Sequence, residues 1–289
     1  MPTLREVLAS RPRDRVIAAP GVYDMVSLRV AERVGFDALY MTGYGTVASH
    51  LGLPDAGLAS YADMVARVEA MAGAARSPLI ADGDTGYGGL LNVRHTVRGY
   101  ERAGAAGIQL EDQEFPKKCG HTPDRRVIPA ADMVRKIGVA VESRHSEDFL
   151  IIARTDARTS LGLDEAIGRG RLYAEAGADM IFIESPESEA EMVRIGQELG
   201  DRSLVANMVE GGRTPVLGSE RLAEIGYALA IYPVAGLLAA AAALNAVYAQ
   251  IRKTGSSLGT SVPLYSFAEM NLLMGFDDIW RFSQTHSET

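Results

Sequence analysis

Eight short apolar runs, each closing on glycine or a polar residue, recur along the 289 residues: RVIAAPGVYD, DALYMTGYG, PLIADGDTG, GIQLEDQ, FLIIARTDA, MIFIESP, SLVANMVEG and LAIYPVAG. Near-continuous apolar runs are what a strand covered on both faces requires, and parallel sheets bury their strands in that way. Helix-period segments separate the runs, among them DMVSLRVAERVG, YADMVARVEAMAGAAR, DMVRKIGVAVESR and LDEAIGRGRLYAEAG. Several stop at AG or VG, where glycine closes a helix in the left-handed conformation. An unbroken series of eight β-then-α units predicts an α/β fold, the (β/α)8 TIM barrel. A doubly wound open sheet is the alternative, but it needs a reversal of strand order and usually has fewer strands. No linker interrupts the series, so residues 1–289 read as one barrel domain. Residues 256–289 are its C-terminal extension, where FAEMNLLMGFDDIWRFSQ reads as a further helical segment that must dock, for instance on a neighbouring subunit.

In such a barrel the chemistry gathers at the C-terminal ends of the strands. Those ends carry Asp82 and Asp84, Glu111 and Asp112, Arg154 and Asp156, Glu184, and Asn207 with Glu210. The DGD spacing predicts Asp82 and Asp84 on one face of a strand. Four acids on the third and fourth strands would repel one another unless a cation compensates, and all-oxygen ligation suits Mg²⁺ or Mn²⁺. Asp55, in LGLPDAG, can join them. Capping of helix N-termini is the competing explanation for any one of these acids.

The stretch EDQEFPKKCGH holds the only cysteine, Cys119. Lys117, Lys118 and a protonated His121 would favour its thiolate, and such a thiol can act as general acid or base. Gly120 loosens the backbone beside it. An inert loop cysteine between solvated lysines is the alternative. His50, His95, His145 and His286 form no cluster and read as surface or packing residues. GDTGYGG lacks the lysine and serine of a phosphate loop.

A net charge of -8 and a pI near 5.2 speak against nucleic acid or an anionic membrane as partner. A single cysteine suits a reducing cytoplasm, and the N-terminus has no signal-peptide stretch. VAGLLAAAAALNAVYA is too short and alanine-rich to span a bilayer and reads as a buried helix.

Seven motifs stand in fixed order: MTGYGTVASHLGLPD, DGDTGYG, EDQ, KKCGH, IIARTDA, NMVEGGRTP and AIYPVAG. Through them the chain resembles, over nearly its whole length, the lyase branch of the isocitrate lyase / phosphoenolpyruvate mutase superfamily, whose signature is KKCGH. Within that branch it is similar to 2-methylisocitrate, 2,3-dimethylmalate and petal-death-type lyases. In NMVEGGRTP and IGYALAIYP it is equally similar to the carboxyvinyl-carboxyphosphonate phosphonomutases.

The resemblance implies Mg²⁺, or Mn²⁺, near Asp82, Asp84 and Glu111, with Asp55 nearby. It implies that Thr42, Gly43 and Tyr44 hold a substrate carboxylate, that Lys118 and Gly120 contact substrate, and that Glu184 and Asn207 line the pocket. Arg154 would neutralise charge on the reacting oxygen, Tyr40 would be a base, and Cys119, with His121, would serve proton transfer. The implied reaction cleaves the C2–C3 bond of a 2-hydroxy di- or tricarboxylate, giving a 2-oxo acid and a carboxylate. The implied assembly is a homotetramer of helix-swapped dimers. Many 2-methylisocitrate lyases read KRCGH; lysine at 118 cannot make arginine's bidentate carboxylate contact. Ala235 stands near a position often held by serine or threonine, which leaves apolar room for an alkyl group. A phosphorus–carbon bond enzyme and a non-catalytic binding barrel are the rival functions.

Overall fold

The computed structural model describes residues 2–118 and 125–286. Cys119, Gly120 and His121 lie outside the described residues. Eight parallel strands form a closed barrel in sequence order. They are β1 (Ile17–Val22), β2 (Leu39–Met41), β3 (Leu79–Asp82), β4 (Gly107–Glu111), β5 (Leu150–Thr155), β6 (Met180–Ile183), β7 (Ser203–Asn207) and β8 (Tyr227–Tyr232). Ile17 pairs with Leu229 and Ala19 with Ile231, so β1 closes onto β8 and the open sheet is excluded. Seven of the eight apolar runs contain one of these strands whole, and the eighth, LAIYPVAG, begins at Leu229, two residues inside β8.

Alternation along the strands divides the core in two. Ile17, Ala19, Tyr40, Ile80, Ile152, Phe182, Val205, Leu229 and Ile231 belong to a cluster inside the barrel. Residues of the opposite phase, such as Met41, Ala81, Ile108, Ile151, Ile181 and Leu204, pack outward on the helices. A short N-terminal helix, α1 (Leu4–Ser10), adds Leu4 and Val7 to the interior cluster.

The outer helices are α2 (Met25–Val34), α3 (Gly43–Leu51), α4 (Tyr61–Ala72), α5 (Leu90–Arg102), α6 (Ala130–Ser143), α7 (Ala157–Leu161), α8 (Leu163–Glu175), α9 (Glu189–Leu199), α10 (Ser219–Ile225) and α11 (Ala235–Thr254). Gly35, at φ 88°, closes α2 as the VG signal predicts. Two expectations change. The alanine-rich α11 has no buried residue, its outer face lying open among the described residues. The segment after it is two helices, α12 (Phe267–Leu273) and α13 (Phe276–His286), separated at Gly275, whose φ of 82° no helix accommodates. Among the described residues no helix is long and apolar enough to cross a membrane.

Candidate active site

The charged residues on the interior phase of the strands stand at or next to their C-terminal ends, with Gln109 one layer below. Tyr40, Asp82, Glu111, Arg154 and Asn207 line one cavity at the C-terminal mouth, joined by Thr42, Tyr44, Asp55, Lys117 and Lys118. Val209, Ile231, Pro233 and Val234 form its apolar wall. Ala235 does not line this cavity; it opens α11, and Val234 takes the place expected for it.

Asp82 is held by three donors: the backbone N–H of Gly43 at 3.3 Å, the Gln109 amide at 3.4 Å and the backbone N–H of Asp84 at 3.1 Å. The first contact depends on glycine, since a Cβ at position 43 would stand 2.5 Å from Asp82 Oδ2. Thr42 caps α3 by accepting from the Gly45 N–H. Asp84 does not share a strand face with Asp82: β3 ends at Asp82, and Asp84 turns the chain with a positive φ of 47°. That conformation is rare for a residue with a Cβ, and such strain concentrates at functional sites.

Glu111 is buried and its Oε1 has no hydrogen-bond partner. Burial pushes its pKa well above the ordinary carboxylate value, with Arg154 opposing. Asp84 is also buried and pushed up, to about 6; burial dominates, Lys117 opposes and Asp82 adds to the rise. Lys117 places its ammonium 2.5 Å from Asp55 Oδ1 and 2.7 Å from Asp84 Oδ1. The second contact sets the ammonium against Asp84 Oδ1 as a buried ion pair. Burial alone would discharge Lys117, but Asp84, Asp55 and Glu111 outweigh it and hold the ammonium well above its ordinary pKa.

Arg154 forks onto Asp156 with two contacts of 2.9 Å and reaches Glu111 at 3.4 Å and Glu184 at 3.6 Å. Arg125 shares Asp156 Oδ1 with Arg154 and bonds Thr159. Glu184 accepts from Asn207 at 3.0 Å. It is fully buried behind the cavity rather than on its wall. The Tyr40 hydroxyl donates to Gln109 at 2.9 Å, and burial, then Asp82, pushes its pKa well above the tyrosine value. Asp112 turns away from the mouth, against the expectation that it joins the acids. It accepts from Thr155, Arg169 and Tyr173 at 2.7, 3.0 and 2.7 Å, because its strand phase is the outward one.

Lys117 thus pairs with Asp55 and Asp84, Asp82 is held by amide donors, and Arg154 is divided among Asp156, Glu111 and Glu184. A surplus of buried negative charge and an unpartnered carboxylate oxygen fit an oxygen-ligated divalent cation. Among the described residues no three of the acids converge as direct ligands would, and Lys117 stands between Asp55 and Asp84.

Gln109, Lys117 as an ion-pair partner, Arg125 and the wall residue Val209 were not anticipated. Gln109 shares the inward phase of GIQLE and was legible there; the others have no local signal.

The chain is similar to known proteins. The chain is 49% identical to 2,3-dimethylmalate lyase of Eubacterium barkeri over 96% of its own length and 94% of that protein. A solved oxaloacetate acetylhydrolase, in complex with the inhibitor 3,3-difluorooxalacetate, superposes with a TM-score of 0.93 at 35% identity, covering 99% of this chain and 97% of that one. A phosphonopyruvate hydrolase, solved with oxalate and Mg²⁺, superposes with a TM-score of 0.86 at 31% identity, covering 98% and 97%. The phosphoenolpyruvate phosphomutase family matches residues 4–252, and the chain belongs to that family.

Proposed function

We propose that this protein is a carbon–carbon lyase, dependent on Mg²⁺ or Mn²⁺, that cleaves a 2-alkylmalate-type substrate into a 2-oxo acid and a carboxylate. The observation that carries it is one cavity joining an undercompensated acid cluster, the Arg154 guanidinium and an apolar wall. The 49% identity to a 2,3-dimethylmalate lyase supports the same class of reaction. Asp82, Asp84, Glu111 and Asp55 would hold the cation, which when bound supplies Lewis-acid polarisation of the substrate's C2 oxygen.

The chain's own residues supply the rest. Thr42, Gly43 and Tyr44, at the N-terminus of α3, present donors to a carboxylate. Lys118 and Gly120 are assigned to substrate contact. The 2-hydroxyl gives its proton to a carboxylate of the cluster. Tyr40 is a poorer acceptor, since burial keeps its phenol protonated and bonded to Gln109. The C2–C3 bond breaks, its electron pair remaining on C3, and C2 becomes the carbonyl of the 2-oxo acid. Arg154, held by Asp156, Glu184 and, through Glu184, Asn207, stabilises the developing charge. Cys119, assisted by His121, protonates C3. Val209, Ile231, Pro233 and Val234 receive the alkyl group, at about 0.8 kcal/mol per buried CH₂. The active assembly is assigned as a homotetramer of helix-swapped dimers.

The test compares kcat/KM for 2,3-dimethylmalate, 2-methylisocitrate, isocitrate, oxaloacetate and phosphonopyruvate, with Mg²⁺ and with chelator. We expect 2,3-dimethylmalate to lead, 2-methylisocitrate to follow and chelator to abolish turnover. Isocitrate as best substrate would refute the pocket argument; phosphonopyruvate as best would refute the lyase assignment.

A further inference from the structure

Lys117 is 4% exposed, yet its ammonium does not face solvent: it bridges Asp55 and Asp84. Those acids come from different parts of the barrel mouth, one after α3 and one just beyond β3. We propose that Lys117 and the divalent cation are alternative counter-charges for this cluster, so that cation binding expels the ammonium from Asp55 and Asp84. This rests on the metal-dependent reading above and adds a residue that sets the cation's affinity.

The physical basis is like-charge exclusion in a buried site. Two positive charges sharing the same carboxylates, a few ångströms apart, repel strongly where water is scarce. The ammonium already meets Asp84 Oδ1 at 2.7 Å, so a cation bound to that oxygen would stand within a few ångströms of a second positive charge. Arg154 cannot serve as the displaced charge, because its hydrogen bonds are committed to Asp156. Without the cation, Lys117 relieves repulsion among acids that are all buried. Competition is reciprocal: whatever Lys117 contributes to the empty cluster is subtracted from the cation's affinity.

Mn²⁺ titrated into the metal-free full-length enzyme in a calorimeter, for wild type and for Lys117→Met, tests this. Methionine keeps the buried stem and removes the charge. The variant is expected to bind Mn²⁺ at least ten-fold more tightly. Equal or weaker binding by the folded variant would overturn the proposal and leave the lyase reading intact. A second measurement needs no variant: acetylation of wild-type lysines, read by mass spectrometry, with and without Mn²⁺. Lys117 should be protected in the metal-free enzyme and modified faster once Mn²⁺ is bound. Equal protection in both states would overturn the displacement. Failure of wild-type enzyme to bind Mn²⁺ at all would overturn the metal-dependent reading, and this inference with it.

Discussion

Asp84 is a carboxyl buried at the barrel mouth. Its folded pKa, about 6, lies above the ordinary carboxylate value chiefly because it is buried. A carboxyl that ionises less readily in the folded state contributes stability below its unfolded pKa and loses it as the pH rises through the folded one. Metal-free wild type should therefore lose stability relative to Asp84→Asn as the pH rises from about 4 to beyond 6. Thermal unfolding of both proteins across that range checks this; a constant difference in Tm would show that Asp84 titrates normally. Cys119 is argued from chemistry. Serine is nearly isosteric but titrates far above neutrality, so Cys119→Ser should lower turnover by about 10²-fold or more. Substrate affinity should change little. Near-normal kcat in the serine variant would remove Cys119 from the proton-donor role.

At the level of single elements, α3 is where local structure and site chemistry meet. Its first residue, Gly43, leaves room for Asp82 and donates to it. Gly43→Ala puts a methyl 2.5 Å from Asp82 Oδ2 and 3.1 Å from its Cγ, so the carboxylate must turn and give up the Gly43 contact while its backbone stays in β3. We expect a stability change within about 1 kcal/mol and a fall of about ten-fold or more in Mn²⁺ affinity and turnover. A large loss of Tm with unchanged metal affinity would locate the effect in packing instead. The strands were legible because double-sided burial leaves a continuous apolar signature. The inward phase of each strand then points to Tyr40, Asp82, Glu111, Arg154 and Asn207 at its end. Asp84 escaped that logic, since the strand stops two residues earlier and the backbone turns left-handed. Asp112 escaped it because a neighbour in sequence is opposite in phase, directed to Arg169 and Tyr173. The pairing of Lys117 with Asp55 joins residues 62 apart in the chain, and no local pattern encodes such a contact.

Taken as a whole, the molecule leaves large apolar side chains open along α11 and the extension after it. No residue of α11 is fully buried, and Leu238, Leu244 and Tyr248 lie exposed along it. The extension beyond it repeats the pattern: Leu258 is 82% exposed and Phe267 83%, with Trp280 and Phe282 also open. Phe276 and Trp280 pack on each other, centroids 5.9 Å apart, and Arg33 of α2 lies over Tyr265, so the extension is structured where it leaves the barrel. Structured elements with contiguous uncovered aromatics mark an interface rather than a solvated tail. A second copy of the chain is the partner that we expect, consistent with the swapped-helix tetramer implied by resemblance. Light scattering at micromolar concentration should return the mass of four chains. Replacing Trp280 and Phe282 together with aspartate should lower that mass while the barrel still folds, because neither side chain belongs to its core. A wild-type monomer would refute the assembly. A tetramer that survives both substitutions would place the interface elsewhere, on α11 itself, where Leu244→Asp and Tyr248→Asp then become the variants that must disrupt it.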